Sequence, residues 1–209
     1  MAARGRPREF DRDEALDKAM ETFWALGYEG ASMAELTRAM GIASPSLYAA
    51  FGSKDELFLE AVERYGEKFG ELKAAIEDAP TARAACEAFL LLSAESLARP
   101  GRPPGCMVVL TAACAHGAAE STRSALRRSR AQTAGLLARR LESAVASGEL
   151  PQGLDIAAIA AFFVTVQQGM TIQAVDGATQ DGLAGVARAA MLSWDGLVAP
   201  PGVRPAAVA

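Results

Sequence analysis

Apolar residues recur every three or four positions along most of this chain, a period that predicts α-helices. No segment alternates strictly between apolar and polar residues over the length of a strand. The pattern therefore predicts an all-α fold of about nine helices. Their expected ranges are 12–26, 33–40, 44–51, 53–76, 81–97, 106–115, 120–147, 155–175 and 180–194.

The most informative stretch begins at Ser32, where two short helices are joined by a three-residue turn. Ser32 and Glu35 have the spacing of a capping box at the start of the first helix. Gly41 is placed to end that helix in the left-handed conformation. Ser44 is expected to cap the second helix, with Pro45 at its first position. Two short helices with this connection are typical of a DNA-binding helix-turn-helix, whose second helix enters the major groove.

A set of residues between Asp11 and Phe58 also forms a pattern that is similar to a known family. These residues are Phe23, Gly27, Tyr28, Ser32, Met33, Ala39, Gly41, Leu47, Tyr48, Phe51, Lys54 and Leu57. The pattern resembles the N-terminal domain of the TetR family of bacterial transcriptional repressors. The resemblance implies a ligand-responsive repressor that binds a palindromic operator in double-stranded DNA as a homodimer. Many members have bulkier residues where this chain has Ala49 and Ala50, so fewer side chains are expected to contact base edges.

Candidate DNA contacts lie in this segment and in the basic segment before it. Hydroxyl groups, an ammonium group and helix-end amides suit phosphate oxygens, and serine hydroxyls also suit base edges. The expected contacts are Ser32, Met33, Ser44, Pro45, Ser46, Tyr48 and Lys54. The serines have an alternative interpretation as helix caps, and Tyr48 as a packing residue. Residues 1–8 contain no acid, and their Arg4, Arg6 and Arg8 predict an arm for the minor groove, or alternatively a solvated terminus.

Strongly apolar helix faces predict how two subunits would meet. The candidate interface residues on the last two long helices are Ile156, Ile159, Phe162, Val166, Met170, Val186 and Ala190. They form either the core of a monomer or, as the TetR resemblance implies, a four-helix bundle with two helices from each subunit. A surface this apolar would be a large exposed patch on a monomer. A dimer would also place two recognition helices about 34–36 Å apart, on successive major grooves.

The expected effector is a small hydrophobic or amphipathic molecule that binds inside the helical domain. Its candidate pocket residues are Phe89, Leu92, Cys106, Met107, Leu110, Phe163 and Gln167, although apolar residues of this kind also form ordinary cores. Some TetR-like repressors sense oxidants or electrophiles through a cysteine near the start of the helix expected here at 106–115, a position that Cys106 resembles. The alternative is a small buried hydrophobe. Cys106, Cys114 and His116 lack the spacing of a metal site, so no metal is expected.

Composition and charge limit the other functions of the chain. The chain has 209 residues, a net charge of −4 and three cysteines without paired spacing, which favours a reducing, cytoplasmic location. No signal peptide is recognisable, and the apolar segment 156–166 is shorter than the roughly 20 residues of a membrane span. His116 has no partner at a catalytic spacing and no phosphate-binding loop occurs, so neither enzymatic activity nor a cofactor is expected.

The same features predict four parts. These are a flexible basic arm over residues 1–10, a helix-turn-helix DNA-binding domain over 11–55, a helical effector-binding and dimerisation domain over 56–195, and a disordered tail over 196–209. An arginine-rich run in the expected helix 120–147, from Arg123 to Arg140, is expected to pair with acidic residues. A second surface for nucleic acid or membrane is the alternative.

Overall fold

A computed structural model describes residues 10–200 except 69, 115 and 116, with the backbone alone at 68, 70, 113 and 114. All regular structure in these residues is helical, which confirms the predicted fold class. The helices are α1 (Arg12–Gly30), α2 (Met33–Met40), α3 (Ser44–Phe51), α4 (Lys54–Lys68), α5 (Gly70–Glu77), α6 (Ala82–Leu97), α7 (Met107–Cys114), α8 (Glu120–Ala146), α9 (Ile156–Val175), α10 (Gln180–Met191) and α11 (Trp194–Leu197).

The described residues thus contain eleven helices where the sequence predicts about nine. The predicted helix 53–76 corresponds to α4 and α5, on either side of residue 69, which lies outside the description. The predicted helix 180–194 instead ends at Met191 and is followed by the short α11. Near this break the Ser193 hydroxyl donates to the carbonyl oxygen of Ala190 at 2.6 Å. Such a side-chain bond to the backbone competes with helix continuation.

Side-chain caps begin several helices where the sequence predicts them. The Asp11 carboxylate accepts hydrogen bonds from the amides of Asp13 and Glu14 at the start of α1. Thr81 and Asp155 cap α6 and α9 in the same way. These local bonds satisfy amides that have no partner inside a helix, so the chain itself determines where its helices begin.

A first cluster of buried side chains, here called the head core, joins α1 to α4. Phe23 lies at its centre, with its ring edge-on to Phe58 at a centroid distance of 5.0 Å and stacked on Tyr28 at 6.3 Å. Val108 of α7 and Leu126 of α8 are buried in the same cluster. The packing of the predicted DNA-binding helices therefore extends into later helices of the chain.

A second cluster, here called the body core, fills the space between α5, α6 and α8 to α11. Its fully buried side chains include Phe89, Leu137 and Phe163, and Trp194 closes one side of it. Helix α6 packs against α5, α9 and α10, and α8 packs against α9. The two cores together bury the inner faces of the described helices.

Helix α9 is both long and strongly apolar. By length and composition alone it could cross a membrane, with a mean hydropathy of 1.4 over its most apolar window. The apolar segment 156–166 is only its first half, since the helix continues through two glutamines to Val175. Only 33% of that window is buried, because α9 contacts α6, α8 and α10 on its inner side and has a second apolar side.

Candidate nucleic-acid interface and effector cavity

The turn between α2 and α3 has the geometry of a helix-turn-helix. Gly41 adopts φ 69° and ψ 26°, the left-handed conformation that ends α2, and its amide donates to the carbonyl oxygen of Arg38. Glycine reaches this conformation without a steric penalty from a Cβ atom. At the other end of α2, Ser32 and Glu35 form both halves of the predicted capping box.

The start of α3 differs from the prediction, because Ala43 rather than Ser44 occupies the N-cap position. Ala43 has an extended backbone, and its carbonyl oxygen accepts from the amides of Ser46 and Leu47. Ser44 is therefore already the first helical residue and Pro45 the second. Its hydroxyl makes no capping bond and is exposed.

Helix α3 has one buried face and one exposed face. Leu47 and Phe51 are buried in the head core. Ser44, Pro45 and Tyr48 are exposed, with 52% of Tyr48 accessible. Ser46 is half-buried. The exposed face therefore presents the hydroxyl groups of Ser44 and Tyr48 beside a small alanine, which suits close approach to a nucleic-acid groove.

Arg12 holds α3 in place, a role that the sequence analysis missed. One of its guanidinium nitrogens donates to the carbonyl oxygen of Ala50 at 3.2 Å and to Glu60 at 2.8 Å. The guanidinium carbon lies 4.4 Å from the centroid of the Phe51 ring. Arg12 thus links α1 to the end of α3 and to α4. No local spacing indicates these contacts, because the partners lie 38 and 48 residues further along the chain.

The other predicted DNA contacts have structural partners of their own. The Ser32 hydroxyl donates to Glu35 at 2.9 Å, and the hydrogen bonds from Ser32 lower the pKa of Glu35. Met33 is half-buried against the head core. The Lys54 ammonium lies 4.5 Å from the centroid of the Tyr28 ring. Arg4, Arg6 and Arg8 lie outside the described residues.

Asp55, at the start of α4, connects the first four helices, here called the head, to the later helices, here called the body. Its Oδ1 accepts from the Tyr28 hydroxyl at 2.9 Å, from the Thr122 hydroxyl at 2.8 Å and from the Ala119 amide at 3.4 Å. Burial opposes ionisation of Asp55, but the hydrogen bonds from Thr122, Tyr28 and Ala119 outweigh it and lower the pKa. Burial and then the hydrogen bond to Asp55 raise the pKa of Tyr28 to about 12. A carboxylate and three donors thus join α1, α4 and the start of α8.

Two further hydrogen bonds link α1 to the body. The indole nitrogen of Trp24 donates to the carbonyl oxygen of Gly105 at 3.0 Å, and this bond is buried. The amide of Gly117 donates to the Glu29 carboxylate at 3.0 Å. The loops on both sides of α7 are therefore attached to the helix that supports α2 and α3.

A cavity of about 480 Å³ lies in the body and is lined by residues of α4 to α9. Three of the predicted pocket residues, Phe89, Cys106 and Gln167, line it. The other four do not. Met107 and Phe163 are fully buried in the cores, Leu92 faces a separate pocket of about 90 Å³, and Leu110 packs against Gly105. The sequence pattern could not separate cavity from core here, because both use the same apolar residue types.

The outer side of α9 and α10 carries exposed apolar residues. Ile172 and Val175 are about half exposed, at 52% and 48%, and Leu192 is 84% exposed. Of the predicted interface residues, Ile159 and Met170 instead belong to the body core at 1% exposure, which leaves no surface for a partner. The remaining five are half-buried; they are Ile156, Phe162, Val166, Val186 and Ala190.

Five of the six arginines of α8 fall into two groups. Arg123 and Arg127 both pair with Glu120, and Arg140 pairs with Glu149 at 3.3 Å. These pairs agree with the expectation that the arginine-rich run meets acidic residues. Arg130 and Arg139 instead line the cavity.

No group of three or more His, Cys, Asp or Glu within the described part of the chain is arranged to hold a metal ion. The side chain of Cys114 and the whole of His116, two members of the cluster considered in the sequence analysis, lie outside that part.

Known families and relatives match both halves of the chain. The family "Bacterial regulatory proteins, tetR family" matches residues 15–61, and "Tetracyclin repressor-like, C-terminal domain" matches residues 80–191. The HTH-type transcriptional repressor ComR of Escherichia coli (strain K12) is 33% identical over 199 residues, which cover 94% of each chain. The HTH-type transcriptional repressor BdcR of the same strain is 46% identical over 61 residues, 29% of this chain and 31% of BdcR.

Solved structures agree with these matches. A cysteine mutant of the TetR family transcriptional regulator CifR, complexed with 26-base-pair operator DNA, is 40% identical to this chain. It superposes with a TM-score of 0.86 over 90% of this chain and 100% of its own. The C-terminal match spans more than half of the residues, and the identity to ComR extends along nearly the whole chain. The chain therefore belongs to the TetR family of DNA-binding bacterial transcriptional regulators.

Proposed function

We propose that this chain is a homodimeric repressor that binds a palindromic operator and is released by a small molecule. The observation that carries the proposal is the exposed face of α3, which a rigid three-helix support holds outward. In this arrangement Ser44, Ser46 and Tyr48 contact the major groove, and Lys54 contacts phosphate. Arg4, Arg6 and Arg8 contact the neighbouring minor groove. The protein acts in the cytoplasm and without enzymatic activity.

The exposed apolar side of α9 and α10 supports the proposed dimer. Ile172, Val175 and Leu192 are large apolar side chains that a partner subunit would cover, together with the half-buried Phe162 and Val166. Covering them removes apolar area from water, at about 25 cal/mol per Å². A two-fold dimer also matches the symmetry of a palindrome.

The cavity supports the proposed release by an effector. Tyr65 and Gly66 of α4 form part of its wall, and Asp55 at the other end of α4 bonds to α1 and α8. A ligand that binds more tightly to a state with displaced α4 helices would shift the population toward that state. The two recognition helices of the dimer would then no longer match the spacing of the grooves.

The experiment that tests this proposal is fluorescence-anisotropy binding to the DNA upstream of the protein's own gene. It is run under reducing conditions at several salt concentrations, because phosphate contacts make affinity fall with salt. We expect tight, salt-sensitive, sequence-selective binding with a dimer on each site. Weak binding that is equal on random DNA of the same length would contradict the proposal.

A matched pair of variants tests the dimer. Leu192→Glu places a charge on the exposed apolar side, and we expect it to give a monomer in light scattering coupled to size-exclusion chromatography. Leu26→Glu introduces the same charge at an exposed leucine of α1, 47% accessible, and is expected to leave the dimer intact. A dimer that survives Leu192→Glu would contradict the proposed interface.

A second candidate function is thiol-based sensing through Cys106. This side chain is partly exposed, lines the cavity and shares a hydrogen bond with the buried Tyr65 hydroxyl. An electrophile in the cavity would therefore meet it. The test is loss of DNA binding after treatment with N-ethylmaleimide, which Cys106→Ser should prevent. Cys86→Ser is the control, because burial raises the pKa of Cys86 to about 12 and makes that thiol unreactive.

A further inference from the structure

The cavity in the body has a cationic part. Lys73, Arg130 and Arg139 lie among its lining residues, and no aspartate or glutamate occurs among the described residues that line it. Lys73 reaches Glu77 at 4.0 Å on the outside of α5. The cavity therefore has an excess of positive charge in a chain whose net charge is −4.

Arg130 differs from the carboxylate-paired arginines of α8 in the surroundings of its guanidinium. Its Nη1 is buried and has no hydrogen-bond partner among the described residues. Arg123, Arg127 and Arg140 each have a carboxylate partner. A buried donor without a partner is unfavourable, and more so when it is charged. Arg130 is also a lining residue of the cavity, whose described wall contains no carboxylate, so an acid group that enters the cavity finds this guanidinium as its partner.

The rest of the cavity wall combines apolar side chains with hydroxyl groups, and this further limits the kind of ligand that fits. Phe89, Val164 and Leu136 supply apolar surface from three different helices. The hydroxyls of Ser93 and Thr133 lie among them, and Ser93 is only 5% exposed. The volume of about 480 Å³ falls within the range of roughly 300–1,000 Å³ that is usual for small-molecule sites.

We infer that the effector is an amphipathic organic anion whose acid group binds Arg130 and whose apolar body lies against Phe89, Leu136 and Val164. The guanidinium presents donors in a plane that matches a carboxylate or sulfonate. The inference rests on the proposed function, because it takes the cavity to be the effector site.

Two fluorescent probes with the same aromatic body test the inference on the full-length protein. 1-Anilinonaphthalene-8-sulfonate carries an acid group, and N-phenyl-1-naphthylamine lacks it. We expect Arg130→Gln to weaken binding of the sulfonate about tenfold or more, the size of a charged hydrogen bond. Binding of the neutral amine should change by less than about twofold. Arg128→Gln is the matched control, since Arg128 is exposed on the same helix and bonds to Ser124 instead.

A loss that is equal for both probes, or no loss for either, would overturn the inference. Thermal unfolding of each variant shows whether it is folded. If the Arg130→Gln variant is not folded, competition on the wild-type protein replaces it. Decanoate should then displace the sulfonate probe at a lower concentration than decanol does. The reverse order would overturn the inference.

DNA binding of the same proteins separates the two proposals. In one outcome the wild-type protein binds its operator, decanol and N-phenyl-1-naphthylamine release it, and decanoate does not. That outcome would support the repressor and overturn the anionic effector. Discrimination between the two probes through Arg130 without any selective DNA binding would retain the anion site and contradict the repressor.

Discussion

The head and the body of this protein differ in how completely their interiors are filled. Around Phe23 the rings of Phe58 and Tyr28 lie at 5.0 and 6.3 Å, and Arg12 closes the end of α3 with a bond to Ala50. The body contains a cavity of about 480 Å³, and a buried nitrogen of Arg130 has no hydrogen-bond partner among the described residues. A filled core holds one geometry, whereas a cavity leaves helices room to move when a ligand enters. Under the proposed function, the filled core supports the DNA-contacting helix and the cavity receives the effector.

The boundary between the two regions is held by hydrogen bonds and by buried side chains that both regions share. Asp55 bonds to α1 through Tyr28 and to α8 through Thr122 and the amide of Ala119. Trp24 bonds to the loop before α7. Val108 and Leu126 come from the later helices but are buried in the head core. A displacement of α7 or α8 thus acts directly on the helix that supports α2 and α3.

The largest expected effect comes from removing one aromatic ring from each region. Phe23→Ala and Phe163→Ala each empty a fully buried site, and each should lower the free energy of unfolding by about 3–5 kcal/mol. Phe23→Ala should also abolish selective DNA binding, because α3 packs on the same core. Phe163→Ala should enlarge the space beside Val164 and Gln167 and leave DNA binding close to normal at temperatures where the protein is folded. Urea unfolding at fixed protein concentration, with anisotropy on the folded proteins, measures both effects.

The chain has two tryptophans, one in each core, so tryptophan fluorescence can follow the unfolding of each region separately. Trp24 lies in the head core and Trp194 in the body core, with its ring 6.1 Å from that of Phe163. Trp194→Phe and Trp24→Phe backgrounds therefore follow one region at a time. We expect Phe23→Ala to shift the Trp24 transition most and Phe163→Ala the Trp194 transition most. Identical shifts of both signals would show that head and body unfold as one unit. The difference in how their interiors are filled would then not give them different free energies of unfolding.

A smaller effect is expected at the boundary. Asp55→Asn keeps the size of the side chain but removes the charge that accepts from Tyr28, Thr122 and Ala119. We expect a loss of about 1.5–3 kcal/mol in the free energy of unfolding, the range for hydrogen bonds to a charged group. Glu21→Gln, an exposed change on α1, is the control. In a double-mutant cycle with Thr122→Val, a coupling energy near zero would contradict the assigned hydrogen bond.

The contribution of Asp55 should also depend on pH. Its pKa in the folded protein is lowered, so the carboxylate stabilises the fold above its unfolded pKa of about 3.9. That contribution is lost as the pH falls through the lower folded value. The difference in unfolding free energy between wild type and Asp55→Asn should therefore be largest near neutral pH and shrink below about pH 4. A difference that stays constant down to the acid limit of folding would show that Asp55 acts through shape and not through charge.

What the sequence predicts well here follows local chemistry. The capping box at Ser32 and the left-handed turn at Gly41 each depend on residues within three or four positions, so the pattern indicates them directly. Contacts across the fold leave no such pattern. Arg12 bonds to residues 38 and 48 positions away, and Met107 and Cys106 are neighbours of which only Cys106 lines the cavity. The prediction at Ser44 is wrong for a subtler reason, since Ala43 adopts the extended backbone one residue earlier.

The smallest expected effect separates charge from hydrogen bonding at the proposed DNA-contacting surface. Lys54→Ala should weaken binding equally across DNA sequences and reduce the slope of log affinity against log salt by about 1, because one phosphate contact is lost. Tyr48→Phe removes a hydroxyl but no charge, so it should weaken binding and leave the slope unchanged. In the structure the Lys54 ammonium lies on the Tyr28 ring, an interaction of about 0.5–1 kcal/mol that is given up when Lys54 turns to phosphate. The net loss for Lys54→Ala should therefore be only a few-fold. Lys73→Ala, at the cavity, should change neither quantity, and a changed slope for it would place part of the DNA contact in the body.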